Sequence, residues 1–381
     1  MLKKLCICLV SVLLLSAGSS VSAIDLVDTD GMNLVLYGFL KGDMTILDNP
    51  VNSNVAARFA TTPDGGDGAT VFTAMHSRFG LKMKGPELKH GLGNVGGILE
   101  FDFFDPSSRN QMKFRVRHAA LTMTGESHKL LFGQYWDLFS PIGPTTLNTN
   151  GYWWQMGNMG FRRAQFRGAW MAENFEIAGS ISDPTSDPNT IAQWPLGMAR
   201  AGFIFGEKKD YKVGISFVGG SGKYRFDYDD DGDLIPGENN VTTWGLCVDW
   251  NLNLKKGFGF KGEFHTGDNL GIFLSRSGVY LDTGLAMPEM KGVKTNAGWL
   301  ELVYKADPGT VWVGFGTERL DCAHISSEAL KNTYAFILGG KYGLGAKTAL
   351  GAEYTYFNSK FKDVGDSGSA NQILVSWIYS F

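Results

Sequence analysis

Asn371-Gln-Ile-Leu-Val-Ser-Trp-Ile-Tyr-Ser-Phe381 ends the chain on an aromatic residue. Side chains on a strand alternate between its two faces. Ile373, Val375, Trp377, Tyr379 and Phe381 therefore share one side, while Gln372, Leu374, Ser376, Ile378 and Ser380 share a mixed other side. A last strand has an open edge and no following segment to cover it. Pairing with the first strand of the same chain would remove that edge by closing the sheet into a barrel.

The same alternation recurs back along the chain. Around 33–43, Leu34, Leu36 and Leu40 alternate with Tyr37, Lys41 and Asp43; at 77–84, Phe79, Leu81 and Met83 oppose Arg78, Lys82 and Lys84. Leu99, Phe101 and Phe103 oppose Glu100 and Asp102, and Phe114 and Val116 oppose Lys113, Arg115 and Arg117. Phe258, Phe260 and Phe264 oppose Lys261, Glu263 and His265. Trp244, Leu246, Val248 and Trp250 share a face, as do Leu350, Ala352, Tyr354 and Tyr356. Such segments have the length a tilted strand needs to cross a bilayer, and they number about sixteen, even as single-chain bacterial barrels require.

Connections alternate too. Short turns are expected near Gly125, Asn174, 207–210, 255–256, 306–309 and 343–345. Long loops are expected at 45–74, 138–160, 182–195, 219–240, 266–295, 318–331 and 359–368. This is the pattern of a membrane barrel with both chain ends on the short-turn, periplasmic side. The expected fold is all-β, a transmembrane antiparallel barrel. So many ionic side chains cannot fit a dry interior. In a bilayer the apolar faces meet lipid and the ionic faces line water.

Composition agrees. Fifty glycines, 13% aromatics and only 12 prolines suit a large antiparallel β structure. A net charge of −3 argues against a nucleic-acid partner. Residues 1–23 read as a signal peptide: Lys3 and Lys4, an apolar run over 5–15, and Val21-Ser-Ala23 as the cleavage site. Residues 24–381 then form one barrel domain. Cys6 and Cys8 leave with the signal, and Cys247 and Cys322 alone make no disulfide framework.

Asp227-Tyr-Asp-Asp-Asp-Gly-Asp-Leu-Ile-Pro-Gly-Glu238 satisfies the twelve-residue calcium-loop spacing in full. Asp227, Asp229, Asp231 and Glu238 would supply carboxylates and Asp233 its carbonyl, with Gly232 at the bend. Strand patterns flank it, so the expectation is an isolated Ca2+ loop on an external hairpin. The plain alternative is a hydrated acidic loop.

Gln134, Trp136 and Asp137 end one strand, and Arg163, Gln165 and Arg167 begin the next. Between them, 138–161 holds no charged residue. Together with Arg115 and Arg117 these residues are the candidate pore constriction. A confined basic field favours anions, and guanidinium forks fit carboxylate or phosphate. Internal pairing with Glu100, Asp102, Asp137 and Asp249 is the plainer use of the same arginines.

Leu36-Tyr-Gly38, Phe114-Arg-Val-Arg-His118, Phe132-Gly-Gln-Tyr-Trp-Asp137 and Gly157-Asn-Met-Gly-Phe-Arg-Arg-Ala-Gln-Phe-Arg167 resemble the Gram-negative trimeric porins, and most of all the DcaP-like porins. That family is associated with uptake of dicarboxylates and related small anions. The resemblance implies a sixteen-stranded homotrimer in outer-membrane lipid, with constriction arginines at Arg115, Arg117, Arg163 and Arg167. It also implies a third external loop folded inward, which is 138–160 if 105–112 is the second. The C-terminal strand is similar to the signal that the barrel-assembly machinery reads.

Gly91-Leu-Gly93-Asn-Val-Gly96 has dinucleotide-turn spacing, but no helix follows, so it reads as a turn. No histidines show metal-ligand spacing and no nucleophile has an evident base, so catalysis is not expected. The expected function is passive diffusion of small hydrophilic, anionic solutes. One alternative is a substrate-specific channel in which Tyr152, Trp153 and Trp154 form a binding ladder for sugars or aromatic or apolar compounds. A plugged structural or adhesin barrel is the other.

Overall fold

The computed structural model describes residues 24–381 apart from residue 30 and segments 63–65, 108–110, 185–189, 192–193, 207–208, 229–233, 276–278, 283–288, 322–329 and 363–366. The signal peptide therefore lies outside the described residues, as does Cys322.

Sixteen antiparallel strands form one closed ring. In chain order they are β1 (Met32–Leu47), β2 (Arg78–Leu88), β3 (Gly93–Asp102), β4 (Arg115–Thr124), β5 (His128–Trp136) and β6 (Arg162–Met171). Next come β7 (Phe175–Ser182), β8 (Leu196–Phe205), β9 (Tyr211–Tyr228), β10 (Leu234–Asn253) and β11 (Phe258–Asp268). The ring finishes with β12 (Lys294–Ala306), β13 (Gly309–Leu320), β14 (Leu330–Gly345), β15 (Thr348–Phe361) and β16 (Ser367–Ser380). Each pairs with the next, and β16 returns to β1 with Phe39 opposite Ser380 and Leu47 opposite Gln372. The closure expected from the last eleven residues is what seals the sheet.

Side-chain exposure follows the pleat and runs opposite to a water-soluble core. Phe132 (64%) and Trp377 (63%) are among the most exposed large apolar residues, joined by Leu121, Phe166, Ile215 and Phe264. Asp102, Asp249, Glu301 and His265 are fully buried, with Arg117, Glu263 and Glu353 nearly so. An apolar outer surface of this extent is stable against hydrocarbon, where a closed barrel leaves no unpaired backbone group. The greasy rows face out and the ionic rows face in, as the alternation required.

Seven connections, all short, lie at one end, and the long ones lie among the eight at the other. The first residues, Ile24–Thr29, fold back on β1 at the short-turn end, where Phe381 also meets Gly38. Lys89–Gly91 is a single 3-10 turn leading into β3, as the glycine spacing suggested. One expectation needs correcting. The stretch 219–240 is not a long loop: β9 and β10 stay paired from Gly219 opposite Trp244 to Tyr228 opposite Leu234. Its glycines and aspartates read as coil, but a ladder is held by backbone groups that any composition supplies. On β4 the expected opposition of Phe114 and Val116 to Arg115 and Arg117 holds, and the register then slips between Glu100 and Phe101 so that Arg117 is the extra residue of a bulge. Phe114 and Val116 are exposed before the bulge and Leu121 after it, and Arg117 and His118 are both buried. A bulge re-aims side chains in this way.

Candidate functional site

Loop 3, residues 137–161, leaves β5 and runs across the lumen to the opposite side of the ring. Three inward carboxylates receive it. Ser140 Oγ and the Ile142 N–H donate to Glu263 on β11 at 2.7 and 2.8 Å. The Thr145 N–H and hydroxyl donate to Glu301 on β12 at 2.9 and 2.7 Å. Thr146 Oγ1 and the Leu147 N–H donate to Glu353 on β15 at 2.7 and 3.0 Å. Wall tryptophans add Trp299 Nε1 to Glu263 (3.2 Å) and Trp312 Nε1 to Glu353 (3.1 Å). A charge-free loop is what this wall needs, because neutral amides and hydroxyls satisfy buried carboxylates through charge-assisted bonds. Lys261 bridges Glu301 at 2.9 Å and the Gly143 carbonyl at 2.8 Å.

The far part of the loop lies flush on the wall. A Cβ on Gly316 would stand 1.9 Å from the Met156 carbonyl oxygen, and one on Gly314 would stand 2.2 Å from the Trp153 ring. Trp153 is buried edge-on against Trp299, with centroids 5.8 Å apart. The loop tip turns through left-handed backbone at Tyr152, Trp153 and Gln155. Side chains hold this uncommon conformation: Asn148 Oδ1 accepts from the Gly151 N–H (2.8 Å), and Asn158 Nδ2 donates to the Tyr152 carbonyl (2.7 Å). Loop 1 (48–77) and loop 6 (269–293) pack on the same loop, through Ala57 and Ala60 near Leu147 and through Leu270 and Phe273 beside Phe139.

The opposing wall is basic. Arg115 takes both oxygens of Asp102 (Nε 2.9 Å, Nη2 2.6 Å) and donates to loop-3 Asn150 at 2.7 Å. Arg117 bridges Glu100 at 2.8 Å and Asp102 at 3.0 Å. Arg78 stands 3.7 Å from Glu100, and Tyr37 donates to the same carboxylate at 3.0 Å. Arg162 lies over the Trp136 ring at 4.7 Å, and no ion pair joins it to a carboxylate among the described residues. The four guanidiniums are near enough to repel one another. Four cations face two carboxylates, which leaves a positive excess. Trp136 stacks on Tyr152 of the loop tip (6.1 Å) and Tyr152 meets Trp154 (5.1 Å). Burial holds the Tyr152 phenol above its ordinary range, so it stays neutral.

The expected constriction residues divide. Arg115, Arg117 and Trp136 join the cluster just described. Arg163 is buried and used up: it pairs with Asp137 at 2.9 Å and donates to the carbonyls of Asp183 (3.3 Å) and Ile272 (2.8 Å), clamping loop 3, loop 4 (183–195) and loop 6 together. Gln165 donates to the carbonyls of Tyr135 and Trp136, and Arg167 to Gln165 and Trp136. Gln134 sits opposite exposed Ala164 and donates to the Val116 and Arg117 carbonyls freed at the bulge. The ladder of Tyr152, Trp153 and Trp154 is not continuous, because Trp153 turns into the wall. Arg78, Arg162 and Glu353 were not among the expected site residues. Arg162 had a signal in the Arg-Arg pair beside Trp136, and Glu353 sat in plain alternation with Ala352 and Tyr354. The calcium ligands fall largely outside the described residues; the backbone on either side is paired strand, with Asp227 opposite Ile235.

No protein-family model matches the chain, and no curated protein matches it in sequence. Solved structures do. The outer-membrane channel DcaP of Acinetobacter baumannii superposes with a TM-score of 0.78 at 18% identity, covering 94% of this chain and 99% of that one. The chain has the fold of the outer-membrane porins. The anion-selective porin of Comamonas acidovorans is similar at TM-score 0.60 and 13% identity (92% and 100% covered). OmpF of Salmonella typhi is similar at 0.60 and 14% (94% and 100% covered). The likeness to DcaP is the one that the sequence motifs of β1, β4, β5 and β6 pointed to.

Proposed function

We propose that the protein is a passive channel of the Gram-negative outer membrane, passing small hydrophilic solutes and preferring anions. The observation that carries this is the division of the lumen. One wall is acidic but covered by a neutral loop that satisfies its carboxylates, and the facing wall keeps a surplus of guanidinium. A solute at the narrow section therefore meets positive charge in a confined space, where the field is strongest. The pairing of Arg115 and Arg117 with Asp102 and Glu100 leaves Arg162 and Arg78 as the less compensated cations. Carboxylate-bearing solutes fit the fork geometry.

A homotrimer in outer-membrane lipid, assembly through the C-terminal strand, removal of residues 1–23 and Ca2+ binding by 227–238 belong to the same proposal. The calcium assignment rests on the sequence motif alone. The test is a planar bilayer across a tenfold salt gradient. A reversal potential of the sign set by anion flow supports the reading, and one set by cation flow overturns it. The stack of Trp136, Tyr152 and Trp154 beside Arg162 favours a second reading, a channel specific for aromatic carboxylates. It would show a small conductance blocked by such a compound at millimolar concentration.

A further inference from the structure

Beneath the first turn of loop 3 lies a group that permeation does not use. Cys247 on β10 and His265 on β11 are directly opposed across the ladder, and Glu263 is two residues before His265. All three are buried, and their ligand-capable atoms lie within 4.8 Å of one another. His265 Nε2 and Glu263 Oε2 are 3.4 Å apart without forming a hydrogen bond. Two ligands held at about 2.0–2.1 Å by one tetrahedral metal ion would be separated by roughly 3.3 Å. Ser140 Oγ closes the fourth side, 2.7 Å from Glu263 Oε2 and 3.0 Å from His265 Nε2.

We propose that Cys247, Glu263 and His265 bind a transition-metal ion of the zinc class, with Ser140 at the fourth position. Proton counting supports a cation here. Ser140 Oγ faces two acceptors, Glu263 Oε2 and the Met159 carbonyl at 2.9 Å, with one proton to give. Glu263 has no Lys or Arg in ion-pair range among the described residues. The nearby Arg200 is engaged by Asp249, at 2.9 Å through Nη2. Hydrogen bonds from Ser140, Ile142 and Trp299 offset the burial of Glu263, and a metal ion would add the counter-charge that no lysine or arginine among the described residues supplies. Thiolate, imidazole and a single carboxylate select zinc, cobalt or copper over calcium or magnesium. Glu263 Oε1 would keep its bond from the Ile142 N–H, so metal and loop can share one carboxylate. Since the site is covered, loading is expected during folding rather than afterwards. An ion at this position ties loop 3 to β10 and β11.

The test uses the mature chain without a histidine tag and with Cys322→Ser, refolded into detergent in the presence of Co2+ and desalted. The expected result is about one retained equivalent with a thiolate-to-cobalt charge-transfer band in the near ultraviolet. Cys247→Ser should abolish that band, and His265→Gln should lower retention at least about tenfold. Heat-modifiable migration verifies that each variant folds. Should Cys247→Ser not fold, protection decides in the parent chain: zinc-loaded protein, opened with mild denaturant, should leave Cys247 slower to alkylate than metal-free protein. Retention below about a tenth of an equivalent overturns the proposal. So does retained cobalt without the thiolate band, or alkylation indifferent to zinc.

Discussion

Thr145 gives both its backbone N–H and its hydroxyl to the carboxylate of Glu301, which the chain reaches only 156 residues later. That contact, with its neighbours at Glu263 and Glu353, makes loop 3 part of the wall rather than a surface loop. Each hydrogen bond to a charged acceptor is worth about 1.5–3 kcal/mol. Glu301→Ala removes the Thr145 bonds and leaves Lys261 without its carboxylate, yet it touches no ladder hydrogen bond. The barrel should fold normally while the arm of loop 3 loosens. Single-channel recordings should show a conductance higher by roughly half or more, with added flicker. Unaltered conductance and noise would mean that something else holds the loop.

Much of this was legible from local pattern. Phe264 beside Glu263, or Leu40 beside Lys41, announces its face because these strands meet lipid on one side and polar groups on the other. Loop 3 announced itself by length and by its lack of charge. Its anchors did not, since Glu263, Glu301 and Glu353 are joined to it only by the closing of the ring. The bulge at Arg117 was hidden for a different reason. Strict alternation gives His118 the face of Phe114 and Val116, and only the partner strand decides where one residue is skipped. The hairpin of β9 and β10 was read as coil because its glycines and aspartates have low strand propensity, which backbone pairing overrode.

Arg162 and Arg163 are adjacent in sequence and should respond differently to removal. Arg162 rests on Trp136 among other cations, so Arg162→Ala should shift the reversal potential toward cation flow and leave heat stability near that of the parent. Arg163 is buried in the clamp with Asp137. Arg163→Ala leaves that carboxylate buried and unpaired, a loss of about 3–5 kcal/mol. It should lower the temperature of heat-modifiable unfolding. Selectivity and melting temperature measured on both variants check the division. The opposite pattern would move the field of the pore from Arg162 to Arg163.

The motif Asp227–Glu238 predicts that calcium protects the tip of the β9–β10 hairpin. A site held at a hundred times its dissociation constant contributes about 2.7 kcal/mol to the bound form. Chelation should therefore speed proteolytic nicking between 224 and 240 severalfold, and Asp231→Asn should nick at the chelated rate with or without calcium. Nicking that ignores both chelator and substitution would leave the acidic run as a hydrated loop.

Closure of the ring rests on one small residue. The Gly38 N–H and carbonyl exchange hydrogen bonds of 3.1 Å with Phe381, whose ring packs 5.4 Å from Phe79. At position 38 a Cβ would stand 2.2 Å from the Arg78 carbonyl oxygen and 3.1 Å from the Phe381 ring, on backbone with φ of +156°. Neither the ladder nor the ring can retreat without opening the seam, so Gly38→Val should sharply reduce the yield of heat-modifiable barrel. Gly42 lies four residues along the same strand, opposite Trp377, and a Cβ there meets nothing within 4 Å. Gly42→Val should fold at the parent yield. Equal yields from the two variants would show that steric fit at the seam does not limit closure, whereas failure of Gly38→Val alone assigns the limit to the notch that receives Phe381.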